Sequence, residues 1–113
     1  MMPAFTLPIE RVLRFEDCEL NIACFSLTRN GRLQKVEPKV FDLLVYLVCN
    51  ANRVVSKSEL FTHVWPNEVV SAASLTQCIS AVRRAIGDTG ANQRLVATIS
   101  KRGYRFIARV YES

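Results

Sequence analysis

Apolar and polar positions change period twice along the chain. From residue 12 to residue 37 the runs VLRFED, CELNIA, CFSLTRN and GRLQKVE are short and rich in β-formers. Asn30-Gly31 falls between two of them and is a strong hairpin signal, because a type I′ turn needs positive φ at both central residues. A small antiparallel sheet of three or four strands is predicted here. From Pro38 the period lengthens. Val40, Phe41, Leu44, Leu47, Val48 and Ala51 recur at helical spacing. Pro38 suits the first turn, where its missing N–H has no partner to lose. NRVV then reads as a short extended connector. A second helix follows in SKSELFTHVWP, with Ser56 and Glu59 spaced as a capping box and Pro66 as the stop. Its apolar face is Leu60, Phe61, Val64 and Trp65. A third helix is predicted over residues 72–86, capped by Ser71 and ended by Gly87. The tail LVATISKRGYRFIARV returns to period two and predicts a β-hairpin. Tyr104, Phe106, Ala108 and Val110 share one of its faces, Arg105 and Arg109 the other. Gly103 marks a tight tip that carries Lys101 and Arg102.

The third helix has an unusual surface. On a wheel of about 100° per residue, Leu75, Ile79, Val82 and Ile86 fall together, flanked by Cys78 and Ala85. Thr76, Gln77, Ser80, Arg83 and Arg84 fall on the other side. No Asp or Glu occurs from Val69 to Gly87. An ordinary solvated face mixes acids with bases. Hydroxyls, an amide and guanidiniums are instead the groups that hydrogen-bond base edges and phosphates. The second and third helices, joined by a short loop, are in helix-turn-helix order, and a hairpin with two cations at its tip follows.

Charge sharpens this picture. The chain of 113 residues has a net charge of +5, consistent with a polyanionic partner. The excess lies late: residues 57–113 hold eight Lys/Arg against four Asp/Glu, whereas residues 1–56 hold seven against six. Cys18, Cys24, Cys49 and Cys78 form no C-x-x-C pair, and His63 is the lone histidine, so no zinc site is expected. Cys49 and Cys78 lie in apolar runs, and the cysteines read as buried free thiols of a reducing compartment. Trp65 is expected partly in the core, with its N–H free to donate. Asp42, Glu59 and Asp88 are accounted for by the first turn of the first helix, the capping box and a helix end. With no nucleophile, metal set or phosphate loop, neither enzyme activity nor a cofactor is expected. No membrane span and no signal peptide are read from the sequence.

The runs VEPKVFDLLVYLVCNANRVVSKSELFTHVW, SLTQCISAVRRAIGD and LVATISKRGYRF resemble the OmpR/PhoB-type winged helix-turn-helix domain. SLTQCIS, VRRAIGD and KRGYRF look closest to the ToxR/CadC-like branch of one-component bacterial regulators. The resemblance implies an α+β fold with an N-terminal antiparallel sheet of four strands, three helices and a C-terminal β-hairpin wing. Residues 12–111 would form this domain behind an N-terminal extension, 1–11. It also implies sequence-specific binding of double-stranded DNA for transcription control. The recognition helix, 72–86, would lie in the major groove and the wing, 95–110, at an adjacent minor groove. Carried onto this chain, the DNA-binding set is Lys57 and Trp65 near phosphates, and Ser74, Thr76, Gln77 and Ser80 on the reading face. Arg83 and Arg84 would hold backbone or base, with Thr98, Lys101 and Arg102 on the wing and Arg105 on backbone or in structure. Ser80 and Ala81 stand where many response regulators carry arginine, and Lys101 where many carry glycine. No receiver domain precedes residue 12, so no phosphorylation switch is expected within this chain. A cytoplasmic location is implied, as a stand-alone regulator or as the cytoplasmic domain of a membrane-anchored one. RNA polymerase and a second copy on repeated half-sites are candidate partners. A winged-helix module that docks RNA polymerase or another regulator subunit, without reading DNA, is the alternative.

Overall fold

The computed structural model describes residues 11–112. The predicted N-terminal extension therefore lies outside the described residues, apart from Arg11. Four short strands open the chain: β1 (Val12–Phe15), β2 (Cys18–Asn21), β3 (Ser26–Arg29) and β4 (Arg32–Gln34). Each hydrogen-bonds antiparallel to the next. Alternation buries Leu13, Phe15, Cys18, Leu20 and Leu27 and leaves Arg14, Glu19, Asn21, Thr28 and the exposed Leu33 on the other face. The β3–β4 turn is the predicted one, with Asn30 at φ 54 and Gly31 at φ 74.

Three helices follow: α1 (Pro38–Cys49), α2 (Lys57–Val64) and α3 (Ala72–Ile86). Pro38 opens α1, and Val40, Phe41, Leu43, Leu44, Leu47 and Val48 are buried along it. Asp42 is exposed and lies past the first turn of α1, not in it as expected. Ser56 caps α2 by accepting the Glu59 N–H at 3.0 Å. The reciprocal half of the expected capping box is missing, because the Glu59 carboxylate is drawn elsewhere. It accepts two bonds from Arg53, at 3.0 and 2.6 Å, and one from the Tyr46 hydroxyl. Ser71 caps α3 through the Ser74 N–H at 3.1 Å, and Gly87 ends it at φ 81.

The tail holds β6 (Val96–Ile99), β7 (Gly103–Phe106) and β8 (Tyr111–Glu112). Here the structure departs from expectation in two places. NRVV is more than a connector: Val54–Val55 form β5, which pairs with β7 and makes the wing a three-stranded sheet in the order β5-β7-β6. The hairpin also ends at Phe106 and does not run to Val110. The chain then crosses to the first sheet, where β8 pairs with β1, giving the order β4-β3-β2-β1-β8. Short strands of this kind have no sequence period of their own; their partners' exposed edges create them. The two sheets meet through Phe15 and Phe106, packed edge to face with ring centroids 4.9 Å apart.

The thiols also differ from expectation. Cys18 is buried, which pushes its thiol up to about 12, but Cys24 and Cys49 are exposed and Cys78 is half-buried. Cys49 sits in an apolar run yet on the outward side of the last turn of α1.

Glu59 is the carboxylate whose ionisation the fold uses most visibly. Hydrogen bonds from Arg53, then from Tyr46, hold it at about 2 against an ordinary 4.5. A depressed carboxylate stabilises the fold above its unfolded value and loses that contribution as pH falls through the folded one. Glu59→Gln is therefore expected to lower stability at pH 7 by about 1 kcal/mol, less than full linkage because Arg53 is half exposed to solvent. Denaturant titrations of both proteins between pH 7 and pH 2 should show the gap closing below pH 4.5. A gap that is constant over this range would mean the charge contributes nothing.

Candidate nucleic-acid interface

The apolar stripe of α3, Leu75, Ile79, Val82 and Ile86, is buried. Burial of this stripe fixes the rotation of the helix. Ser74, Thr76, Gln77, Ser80 and Arg84 are therefore exposed. Thr76 donates to the Ala72 carbonyl at 3.1 Å and Ser74 accepts from the Ser71 hydroxyl at 3.1 Å. The side chains of Gln77, Ser80 and Arg84 hydrogen-bond to no other described residue, so their polar groups stand free for a ligand.

Arg83 is placed differently from its neighbour. Only 7% of it is exposed, although the wheel puts it with the polar face. Its position is about 70° from the centre of the apolar stripe, at the border rather than opposite it. The wing lies against that border. Arg83 Nε and Nη2 donate to the Val96 carbonyl at 3.2 and 2.9 Å, and Nη2 also donates to the Thr98 hydroxyl at 2.9 Å.

Asp88, just past the end of α3, is the other buried charge, 5% exposed. It does more than mark a helix end. Its Oδ1 accepts from the N–H groups of Thr89 and Arg94, its Oδ2 from those of Leu95 and Val96, all at 2.7–2.9 Å. Burial pushes this carboxyl up, but the four backbone donors outweigh burial and leave it below its ordinary value. Sequence gave no sign that residue 88 organises the root of the wing.

Lys101 and Arg102 are exposed at the wing tip. The Arg102 N–H closes the turn on the Ile99 carbonyl at 2.9 Å, with Lys101 at φ 62. Lys101 thus takes up the left-handed conformation that glycine would adopt without strain. Gly103 is needed for space: a Cβ there would lie 2.0 Å from the Val55 oxygen and 2.9 Å from the Ser56 Cα. That contact joins the wing to the start of α2. Lys57, exposed, and Arg102 are each one residue away from it.

The structure thus brings Lys57, the α3 row, Thr98 and the wing tip into one connected frame. Trp65 stands apart at the far end of α2. It is 6% exposed, beside Phe61 at 6.3 Å between ring centroids. Arg105 is half-buried in β7, and its Nε is buried with no partner among the described residues. One cation escaped sequence reasoning. Lys35 lines a groove of about 430 Å³ together with Arg84, Ala81 and Ala85 of α3. The two cations are far apart in sequence, and only the packing of the strand-to-helix connector on α3 joins them.

None of the ion pairs among the described residues involves Lys57, Arg84, Lys101 or Arg102. Among those residues, too, no His, Cys, Asp or Glu side chains gather as a metal site, and no helix is long and apolar enough to cross a membrane.

A family model described as "Transcriptional regulatory protein, C terminal" matches residues 31–106. The transcriptional activator CadC of Escherichia coli is 35% identical over 85 residues, 74% of this chain and 17% of that protein. The transcriptional regulator HilA of Salmonella typhi is 37% identical over 92 residues, 81% of this chain and 16% of that protein. The chain thus spans about a sixth of the length of these relatives. The solved DNA-binding domain of Escherichia coli CadC has a TM-score of 0.78 at 30% identity, covering 92% of this chain and 98% of that one. From the β3–β4 turn to the last residue of β7, sequence and fold agree, and the chain belongs to the OmpR/PhoB-type family of transcriptional regulatory domains.

Proposed function

We propose that this protein binds double-stranded DNA sequence-specifically in the control of transcription, with α3 in the major groove and the wing at the neighbouring minor groove. The observation that carries the reading is the exposed, acid-free row Thr76, Gln77, Ser80 and Arg84 beside a wing tip bearing Lys101 and Arg102. The major groove is wide enough for a helix, and amide and hydroxyl groups on that helix can match base edges. Cations at the tip suit phosphates and a narrow, A·T-rich groove. Kinship with regulators, one of them solved as a DNA-binding domain, supports the same reading. Lys57 is assigned to a phosphate. Trp65 is assigned chiefly to the core, since burial limits it to donating its indole N–H outward.

A second contact, with protein, is favoured by one observation. Val69, in the loop between α2 and α3, is fully exposed beside half-buried Val70. An apolar side chain so displayed suits a protein partner such as RNA polymerase, and it leaves the α3 row free.

Three variants test the DNA reading. Arg84→Ala should weaken binding to every duplex and lower the slope of log K against log salt by about one unit, the signature of one lost phosphate. Gln77→Ala should instead cost roughly 1–3 kcal/mol at one base position and relax preference there, as read by competition among single-base variants of the site. For the wing, Lys101→Gly combined with Arg102→Ala removes both cations while giving the turn a residue suited to φ 62. Circular dichroism should be unchanged and duplex affinity should fall. A folded wing variant with undiminished affinity would remove the wing from the DNA contact.

A further inference from the structure

Arg83 and Asp88 hold the two backbone groups of Val96, which point to the same side of the strand. The Val96 N–H donates to Asp88 Oδ2 at 2.9 Å, and the Val96 carbonyl accepts the Arg83 fork at 2.9 and 3.2 Å. Val96 opens β6, which is an edge strand of the wing sheet. An edge strand turns every second residue's N–H and C=O away from its partner. In β6 those groups are taken up by side chains: Val96 by Asp88 and Arg83, and the Thr98 N–H by Gln93 Oε1 at 2.8 Å. Two of the three side chains come from the last turn of α3 and the residue after its cap. Apart from Asp88 acting through Val96, Arg83 has no acidic partner among the described residues.

We propose that Arg83 is a positioning residue. It fixes the wing relative to α3 so that the α3 row and the tip cations meet one duplex together, and it does not itself neutralise a phosphate. This inference rests on the DNA-binding reading above. Moving the guanidinium to a phosphate would strip the buried Val96 carbonyl of its donors, and an unpaired buried polar group is costly. A planar fork is also what the contact requires, because Nε and Nη2 meet one carbonyl while Nη2 reaches Thr98. The bond to Thr98 orients that hydroxyl. Its oxygen accepts from Arg83, leaving its proton for an acceptor outside, and Thr98 is exposed.

The test compares Arg83→Lys and Arg83→Met, each alone and combined with Lys101→Ala and Arg102→Ala. The readouts are duplex affinity over a salt series and amide exchange in the free protein. With the wing cations present, both substitutions should lower affinity about tenfold, and Lys should not rescue although it keeps the charge. In the background without wing cations, the same substitutions should change affinity less than twofold, because a misplaced wing then has no cations left to lose. Without DNA, amide exchange of Val96, Thr98 and the turn should accelerate in both variants while the α3 core amides stay protected. Equal losses in both backgrounds, with Lys restoring affinity and Met lowering the salt slope by about one unit, would make Arg83 a phosphate contact and overturn the proposal. Unchanged exchange at Val96 and Thr98 would also overturn it. Failure of the parent protein to bind any duplex in a salt-dependent way is a separate outcome: it rejects the DNA reading and the DNA role of Arg83 with it, whereas the exchange data report on the clamp itself. Should Met prevent folding, Lys, which keeps the stem and charge, carries both readouts.

Discussion

Both backbone groups of Val96 are held by opposite charges from one helix end, and the geometry of the site depends on that. β6 has a strand on one side only. Without Asp88 on the Val96 N–H and Arg83 on its C=O, β6 would present unpaired groups beside α3. With them, a strand edge becomes a joint between α3 and the wing. Gly103 against Val55 forms the second joint and ties the wing to the start of α2. Phe15 against Phe106 forms the third and ties it to the first sheet. Each joint is small, and each ties the wing to a different element.

Two adjacent arginines meet opposite fates within this frame. Arg83 and Arg84 differ by about 100° around α3, which is enough to place one at the border of the core and the other in solvent. At the border a guanidinium can bury its stem and spend its donors on backbone carbonyls. Away from it, the group keeps its donors free. Equal formal charge therefore says little about role; the angle from the apolar stripe says more. Glu59 follows the same logic, since its carboxylate turns from the cap to Arg53 just upstream and to Tyr46 of α1.

Features set by neighbouring residues were legible in the sequence. The Asn30-Gly31 turn, Pro38 in the first turn of α1, the Ser56 and Ser71 caps and the Gly87 stop all appear where chain-local chemistry puts them. The exposed row of α3 was legible too, because Leu75, Ile79, Val82 and Ile86 fix its orientation. Features set by distant partners were not. β5 and β8 hold two residues each and exist because β7 and β1 offer edges. The burial of Arg83, the four-donor nest of Asp88 and the meeting of Lys35 with Arg84 depend on where the wing and the strand-to-helix connector settle. Wheel, propensity and motif carry no term for that. Cys49 misled for a related reason: an apolar run does not say which member turns outward at a helix end.

The clamp at Val96 also divides the helix into two inheritances. Arg83, with Asp88 just beyond, is bound to backbone atoms, so a change there disturbs the frame whatever the target. Thr76, Gln77, Ser80 and Arg84 touch little else in the fold, and their identities can drift without loosening a joint. On the DNA-binding reading proposed above, a new target would be acquired through these four exposed positions with the scaffold unchanged. On that reading, the fold sets apart the residues that would choose a target from those that hold the frame together.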